Sequence, residues 1–142
     1  MVDHELVSRK LSRLHGYVDG LRQAEDITWQ VYQQDPRAKA FVERYLHLTI
    51  EEVIDIANHL VSFHGWREPE GYRDLFLVLS ENGVIPKKDL PTFQNMAGFR
   101  NLLVHRYERI DDEVVYGLFR KRLGDFDAFA DLVRMWCSRS DS

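Results

Sequence analysis

The sequence predicts an all-α, up-and-down bundle of four to five helices. Three observations point there. Apolar residues recur at steps of three and four over almost the whole chain, the spacing that gathers them on one helical face. Asp35-Pro36 and Asn82-Gly83 punctuate that pattern as helix start and stop signals. No stretch reads as a convincing strand, and there are no internal repeats or low-complexity tracts.

Each element has its own reason. Val7, Leu11, Leu14, Val18 and Leu21 place an amphipathic helix over residues 3–24, with Asp3 as its N-cap. Thr28 is suited to cap a short turn through Val31. At Asp35-Pro36 a capping carboxylate precedes a proline whose missing N–H costs nothing in a first turn. The helix that starts there runs to about His64 along the line Val42, Leu46, Thr49, Val53, Ala57, Leu60. Phe41, Tyr45, Ile50, Ile54 and Val61 widen that line on both sides, so this helix is expected at the centre, packed by several neighbours. Residues 68–71 form a loop, and Tyr72 to Glu81 a short helix ended by Asn82-Gly83. The next helix is predicted from Pro86 to about Tyr107, with Pro91 in its first turn or bending it. A last helix, capped by Asp111, carries Val114, Val115, Leu118, Phe119, Leu123, Phe126, Phe129, Leu132, Val133 and Trp136. Gly117 and Gly124 inside it allow a close contact or a bend.

Composition narrows the function classes. With 142 residues, 44% hydrophobic and 30% charged, the chain is expected to form a single domain over residues 1–142 with a true core. No apolar stretch approaches the ~20 residues of a membrane span, and MVDHELVSRKLSRLH has no apolar signal core. The expectation is a soluble protein with a cytoplasmic home and no membrane partner. The single cysteine, Cys137, excludes an intramolecular disulfide and a four-cysteine metal site. A net charge of −4 excludes a broad basic footprint, so any contact with RNA must come from a local patch. Arg100, His105, Arg106 and Arg109, set against Glu108 and Asp111, offer one; Arg106 and Arg109 are candidate RNA contacts. Arg120, Lys121 and Arg122 form a second cluster, read as a solvated helix face.

The stretch GFRNLLVHRYERID, residues 98–111, carries the chemistry. Gln94, Gly98, Asn101 and His105 follow steps of four, three and four, so they share one line of a helix. That line is polar and small, unlike a core line, and a glycine in its middle suits contact with a partner or ligand. Arg100 lies about 100° to one side and is long enough to swing toward it. These groups suit metal-free phosphodiester cleavage. An imidazole such as His105 can take the proton of an RNA 2′-OH or give one to the leaving oxygen. The Arg100 fork matches two phosphate oxygens and keeps its charge, and Asn101 can orient histidine or phosphate. One helix supplies one histidine, so acid and base together ask for a symmetric dimer. The bare Arg-to-His spacing is common by chance, as Arg9 and His15 illustrate. The bland reading of His105 is a cap at the negative end of a helix, and of Tyr107 a packing residue. Asp55 and His59 stand i, i+4 and would make half a metal site, but no second pair completes it. Phe126, Phe129 and Trp136 read as core or dimer contacts rather than platforms for bases.

The motif Arg100, Asn101, His105, Tyr107 resembles the signature of HEPN-domain proteins, specifically the HepT-like toxins of HepT–MntA toxin–antitoxin systems. ERYLHLTIEEVIDIANHLVS (43–62) and YRDLF (72–76) are similar to the same family, so the likeness covers most of the chain. Pro91 departs from the family pattern at the start of the motif helix. The resemblance implies a homodimeric helical bundle whose motif helices meet at a dimer cleft. It implies a metal-independent endoribonuclease, without cofactor, that leaves a 2′,3′-cyclic phosphate. It also implies neutralisation by a cognate minimal nucleotidyltransferase antitoxin, which transfers AMP to the tyrosine, here Tyr107. The rival expectation is a HEPN-like subunit that binds a nucleotide or a nucleotidyltransferase and cuts nothing.

Overall fold

A computed structural model describes residues 4–104 and 111–140 of the chain, with the side chains of residues 104 and 140 left aside. Those residues form seven α-helices: α1 His4–Arg22, α2 Trp29–Gln34, α3 Pro36–His64, α4 Tyr72–Glu81, α5 Leu90–Val104, α6 Asp112–Lys121 and α7 Leu123–Ser140. The all-α expectation holds. The helix number exceeds the four to five expected because the turn after Thr28 is a helix in its own right and because the last predicted helix is two.

The caps read from the sequence at Thr28, Asp35, Asn82-Gly83 and Asp111 are present, Gly65 adds one not foreseen, and Asp3 lies outside the described residues. Thr28 accepts from the Val31 N–H at 3.2 Å and starts α2. Asp35 accepts from the N–H groups of Arg37 and Ala38, with Pro36 opening α3 behind it. Gly65 closes α3 in the left-handed region, at φ 65°, and Gly83 follows α4 at φ 84°. Asp111 accepts from the N–H groups of Glu113 and Val114 and starts α6.

Two boundaries differ from expectation. Pro86 does not begin a long helix: its backbone is extended, at φ −60° and ψ 146°, and Lys87–Asp89 make a tight 3₁₀ turn. The α-helix proper starts at Leu90, which leaves Pro91 in the first turn where it breaks no hydrogen bond. The last helix breaks at Arg122, whose ψ of 7° ends α6, and the Asp125 N–H closes a turn back to the Arg122 carbonyl at 3.0 Å.

Helix α3 is the axis of the bundle. Every other helix packs on it. Its line Val42, Leu46, Thr49, Val53, Ala57 and Leu60 is buried throughout, and so are Ile50, Ile54 and Val61. Thr49 is tolerated there because its hydroxyl donates to the Tyr45 carbonyl at 2.6 Å. α1 lies along α3 with Val7, Leu11, Leu14, Val18 and Leu21 facing in. At Gly20 an added Cβ would stand 2.9 Å from the Tyr45 ring, so the two helices approach closely at that point. In the core between α4, α5 and α7 the Phe76 and Phe93 rings stack, and Phe129 meets both edge to face. Phe126 and Phe129 are fully buried, which bears out the core reading of those rings. Trp136 stands edge-on to His64 at 4.9 Å beside Trp66, a packing role as well.

Among the described residues no helix is long and apolar enough to cross a membrane.

Candidate functional site

Helix α5 presents two kinds of surface. Phe93, Met96, Ala97 and Leu103 are buried against the bundle. On the opposite side Asn95, Gly98 and Asn101 are exposed. Gln94 joins them half-buried, its amide donating to the Arg73 carbonyl of α4 at 3.1 Å. The polar line read from the sequence is therefore an outward face as far as Asn101. His105, Arg106, Tyr107 and Arg109, the remaining candidate residues of the motif and its flank, lie outside the described residues.

Arg100 does not join that face. Its side chain runs to the flank of α5 that meets α3 and α4. Its Nε–H donates to Oε1 of Glu51 on α3. Its guanidinium carbon stands 4.9 Å from the centre of the Tyr72 ring, the first residue of α4. His47, one turn before Glu51, has Nε2 at 3.4 Å from the same carboxylate oxygen. The Arg100 side chain is 26% exposed, so it is partly sheltered by the bundle without being sealed inside it. Among the described residues nothing accepts from its two terminal nitrogens. Asn101 is exposed, and its side chain makes no hydrogen bond to another described residue.

The platform under Arg100 is itself fixed. Arg67, in the loop after α3, forms two parallel hydrogen bonds with Asp74 at 2.8 Å and reaches Glu81 at 2.8 Å, clamping both ends of α4. Asp74 also accepts from the Glu70 N–H at 2.9 Å. The guanidinium and that N–H hold the Asp74 carboxyl down at about 2. This network sets the start of α4, and with it the Tyr72 ring.

Beside Gly98 a cleft of about 440 Å³ opens between α4, α5 and the α6–α7 junction, lined by Arg73, Thr92, Asn95, Phe99, Arg122 and Asp125 among others. Arg73 reaches Asn95 only at 3.5 Å and Arg122 reaches Asp125 only at 3.9 Å. Arg120, Lys121 and Arg122 are exposed, in keeping with a solvated face. Asp55 pairs with Lys10 rather than with His59. Among the described residues no three His, Cys, Asp or Glu side chains converge as a cation would need.

Glu51, Tyr72 and His47 were not among the candidate residues read from the sequence. Nothing in the local spacing marks them, since Glu51 stands 49 residues before Arg100.

Comparison with known proteins sets this arrangement in context. The chain matches the family described as Ribonuclease HepT-like over residues 9–133. It is 30% identical over 103 residues to the mRNA nuclease HepT of Shewanella oneidensis, covering 72% of this chain and 77% of that one. It is 24% identical over 115 residues to the tRNA nuclease HepT of Aphanizomenon flos-aquae, covering 81% and 78%. Among solved structures, it is similar to the tri-AMPylated Shewanella oneidensis HEPN toxin in complex with MNT antitoxin. That match has a TM-score of 0.82 and 26% identity and covers 95% of this chain and 99% of the other. The Bacillus subtilis cytosolic protein YutE has the same fold, with a TM-score of 0.84, 20% identity and coverage of 98% and 93%.

Proposed function

Because the chain belongs to the Ribonuclease HepT-like family, we propose that it is the toxin of a toxin–antitoxin pair and cuts RNA as a metal-independent endoribonuclease. The observation that carries this reading is the family match across residues 9–133, which spans the whole Arg100-Asn101-His105-Tyr107 motif. Relatives named as mRNA and tRNA nucleases support the RNA substrate.

The chemistry assigned to the motif is transesterification. His105 takes the proton of a 2′-OH, the freed oxygen attacks the adjacent phosphorus, and the 5′-oxygen leaves with a proton from a second imidazole. The products are a 2′,3′-cyclic phosphate and a 5′-OH. Arg100 offers its terminal N–H groups to the non-bridging oxygens as negative charge grows on them. Asn101, on the exposed face of α5, orients the phosphate or the histidine. One chain brings one such histidine, so a homodimer with both motif helices at one cleft completes the acid–base pair. Arg106 and Arg109 extend the basic patch along the RNA.

The partner is a cognate minimal nucleotidyltransferase of the MntA kind. The tri-AMPylated toxin bound to its antitoxin supports modification as the means of silencing, and Tyr107 is the acceptor assigned here. Its phenolic oxygen displaces pyrophosphate from ATP, and the AMP left behind puts bulk and negative charge where an RNA phosphate must sit.

The test compares RNA cleavage by wild type, His105→Ala and Arg100→Ala, with folding checked by circular dichroism. Loss of cleavage in both variants is expected; undiminished cleavage in both removes the assignment. Mass spectrometry after co-expression with the partner should find added AMP on Tyr107, and growth arrest should follow expression of the toxin alone. A chain that is harmless alone and cuts no RNA would instead be a binding subunit.

A further inference from the structure

We infer that Glu51 of α3 is a positioning residue for Arg100, holding the guanidinium by its Nε–H so that the two terminal nitrogens face the RNA phosphate. The inference rests on the ribonuclease reading above and adds to it a residue 49 positions from the motif.

The geometry distinguishes a holder from a plug. A carboxylate that blocked Arg100 would take the terminal fork, the edge that binds a phosphate through two parallel hydrogen bonds. Glu51 instead accepts from Nε, and among the described residues the fork has no acceptor. Tyr72 covers one face of the guanidinium at 4.9 Å. One edge and one face are thus fixed, and the remaining edge stays open. Arg100 has four side-chain torsions, and their freezing opposes phosphate binding when left to the moment of reaction. Freezing them beforehand removes that opposition from the transition state.

The setting of Glu51 fits the task. It lies on the central helix, braced by neighbours on all sides, so it moves less than a loop residue would. Its side chain is 39% exposed, so it reaches Arg100 at the edge of the bundle rather than inside the core. His47 stands 3.4 Å from the same oxygen and limits its rotation. Tyr72 is set by the Arg67–Asp74 fork at the start of α4.

The test uses the full chain with a fluorophore-labelled transcript and bulk tRNA as probes. Glu51→Ala is expected to lower kcat by roughly tenfold, in the range seen when a supporting residue is removed from a site. Affinity for the same transcript, measured in a His105→Ala background, is expected to change less than twofold. Glu51→Gln, whose amide oxygen still accepts from Nε, should restore most of the rate. The double variant Arg100→Ala/Glu51→Ala should be no slower than Arg100→Ala alone. Additive losses would mean that Glu51 merely supports the fold, and would overturn the inference. A faster Glu51→Ala would mean that Glu51 masks the arginine, and would overturn it too. Cleavage that depends on Arg100 but ignores Glu51 removes this inference and leaves the ribonuclease reading standing. Cleavage that is missing in wild type or indifferent to Arg100 removes both.

Discussion

The Arg100 guanidinium carbon lies 4.9 Å from the centre of the Tyr72 ring, so the first residue of α4 floors a side chain that belongs to α5. The contact uses the flat, delocalised cation that only arginine has. Arg100→Lys is therefore expected to behave as a loss rather than a conservative change. An ammonium cannot donate to Glu51 and also present two parallel N–H groups to a phosphate. RNA cleavage should fall by about 100-fold, the scale for one lost donor at a developing oxyanion. A lysine variant that cleaves within twofold of wild type would show that charge alone suffices.

Acid should loosen this platform in a defined window. The Asp74 carboxyl ordinarily titrates near 3.8 and is held at about 2 by Arg67 and the Glu70 N–H. A folded-state value below the unfolded one means the contribution is present above pH 4 and is lost as pH falls toward 2. Asp74→Asn should therefore melt below wild type at neutral pH, and the two melting curves should converge near pH 2. Melting temperatures across that range check it; a gap that persists unchanged at pH 2 would sever Asp74 from the effect.

How much of this was legible in the sequence depends on the range of the cause. Asp35, Thr28 and Asp111 act on N–H groups two or three residues away, so their helix starts could be read directly. The girth of apolar residues on α3 announced a central helix, and every other helix does pack on it. The break at Arg122 was hidden by the pattern itself. Val115, Leu118 and Phe119 of α6 and Phe126, Phe129 and Val133 of α7 keep one helical period across the gap. Both pieces bury the same face, and periodicity records faces rather than continuity. The start of α5 was missed because Pro86 suits an extended residue before a turn as well as a first helical turn. In the site, the residue types of the motif were visible, but the partners of Arg100 come from α3 and α4 through tertiary packing. No spacing rule reaches across 49 residues.

Burial of a second carboxylate yields a stability prediction of opposite sign. Glu52 is buried on α3, and loss of water raises its carboxyl pKa, against the pull of Arg13 and Lys10 and helped by Asp55. A raised value means folding favours the protonated form, so the benefit exists below about pH 4.5 and disappears as pH rises. Arg13 stands 3.6 Å away and is 54% exposed, so it loses little if the partner becomes neutral. Glu52→Gln is expected to raise Tm at pH 7 by about 2–4 °C, the shift of roughly 1 kcal/mol in a domain of this size. The advantage should shrink at pH 4. A lower Tm for the variant at pH 7 would mean that the ion pair outweighs the lost hydration.

Two glycines allow stability to be separated from function. Gly117 lies inside α6 and Gly98 inside α5, both in helical backbone, and an added Cβ at either meets nothing within 4 Å. A glycine in a helix interior costs about 0.5–1 kcal/mol relative to alanine. On the isolated chain, Gly117→Ala and Gly98→Ala should therefore each raise Tm, and by similar amounts. They should part in activity. Gly117 belongs to α6, outside the Arg100–Tyr107 motif in the sequence, and its alanine variant should cleave RNA like wild type. Gly98 sits on the exposed face of α5 between Gln94 and Asn101 and beside the cleft lined by Arg73 and Arg122. If that face meets RNA or a second copy of the chain, a methyl group there blocks the close approach that glycine allows. Gly98→Ala should then gain thermal stability while losing cleavage. Melting and cleavage measured on the same preparations decide it. A Gly98→Ala protein that is both more stable and fully active would mean that nothing approaches α5 closely along that line.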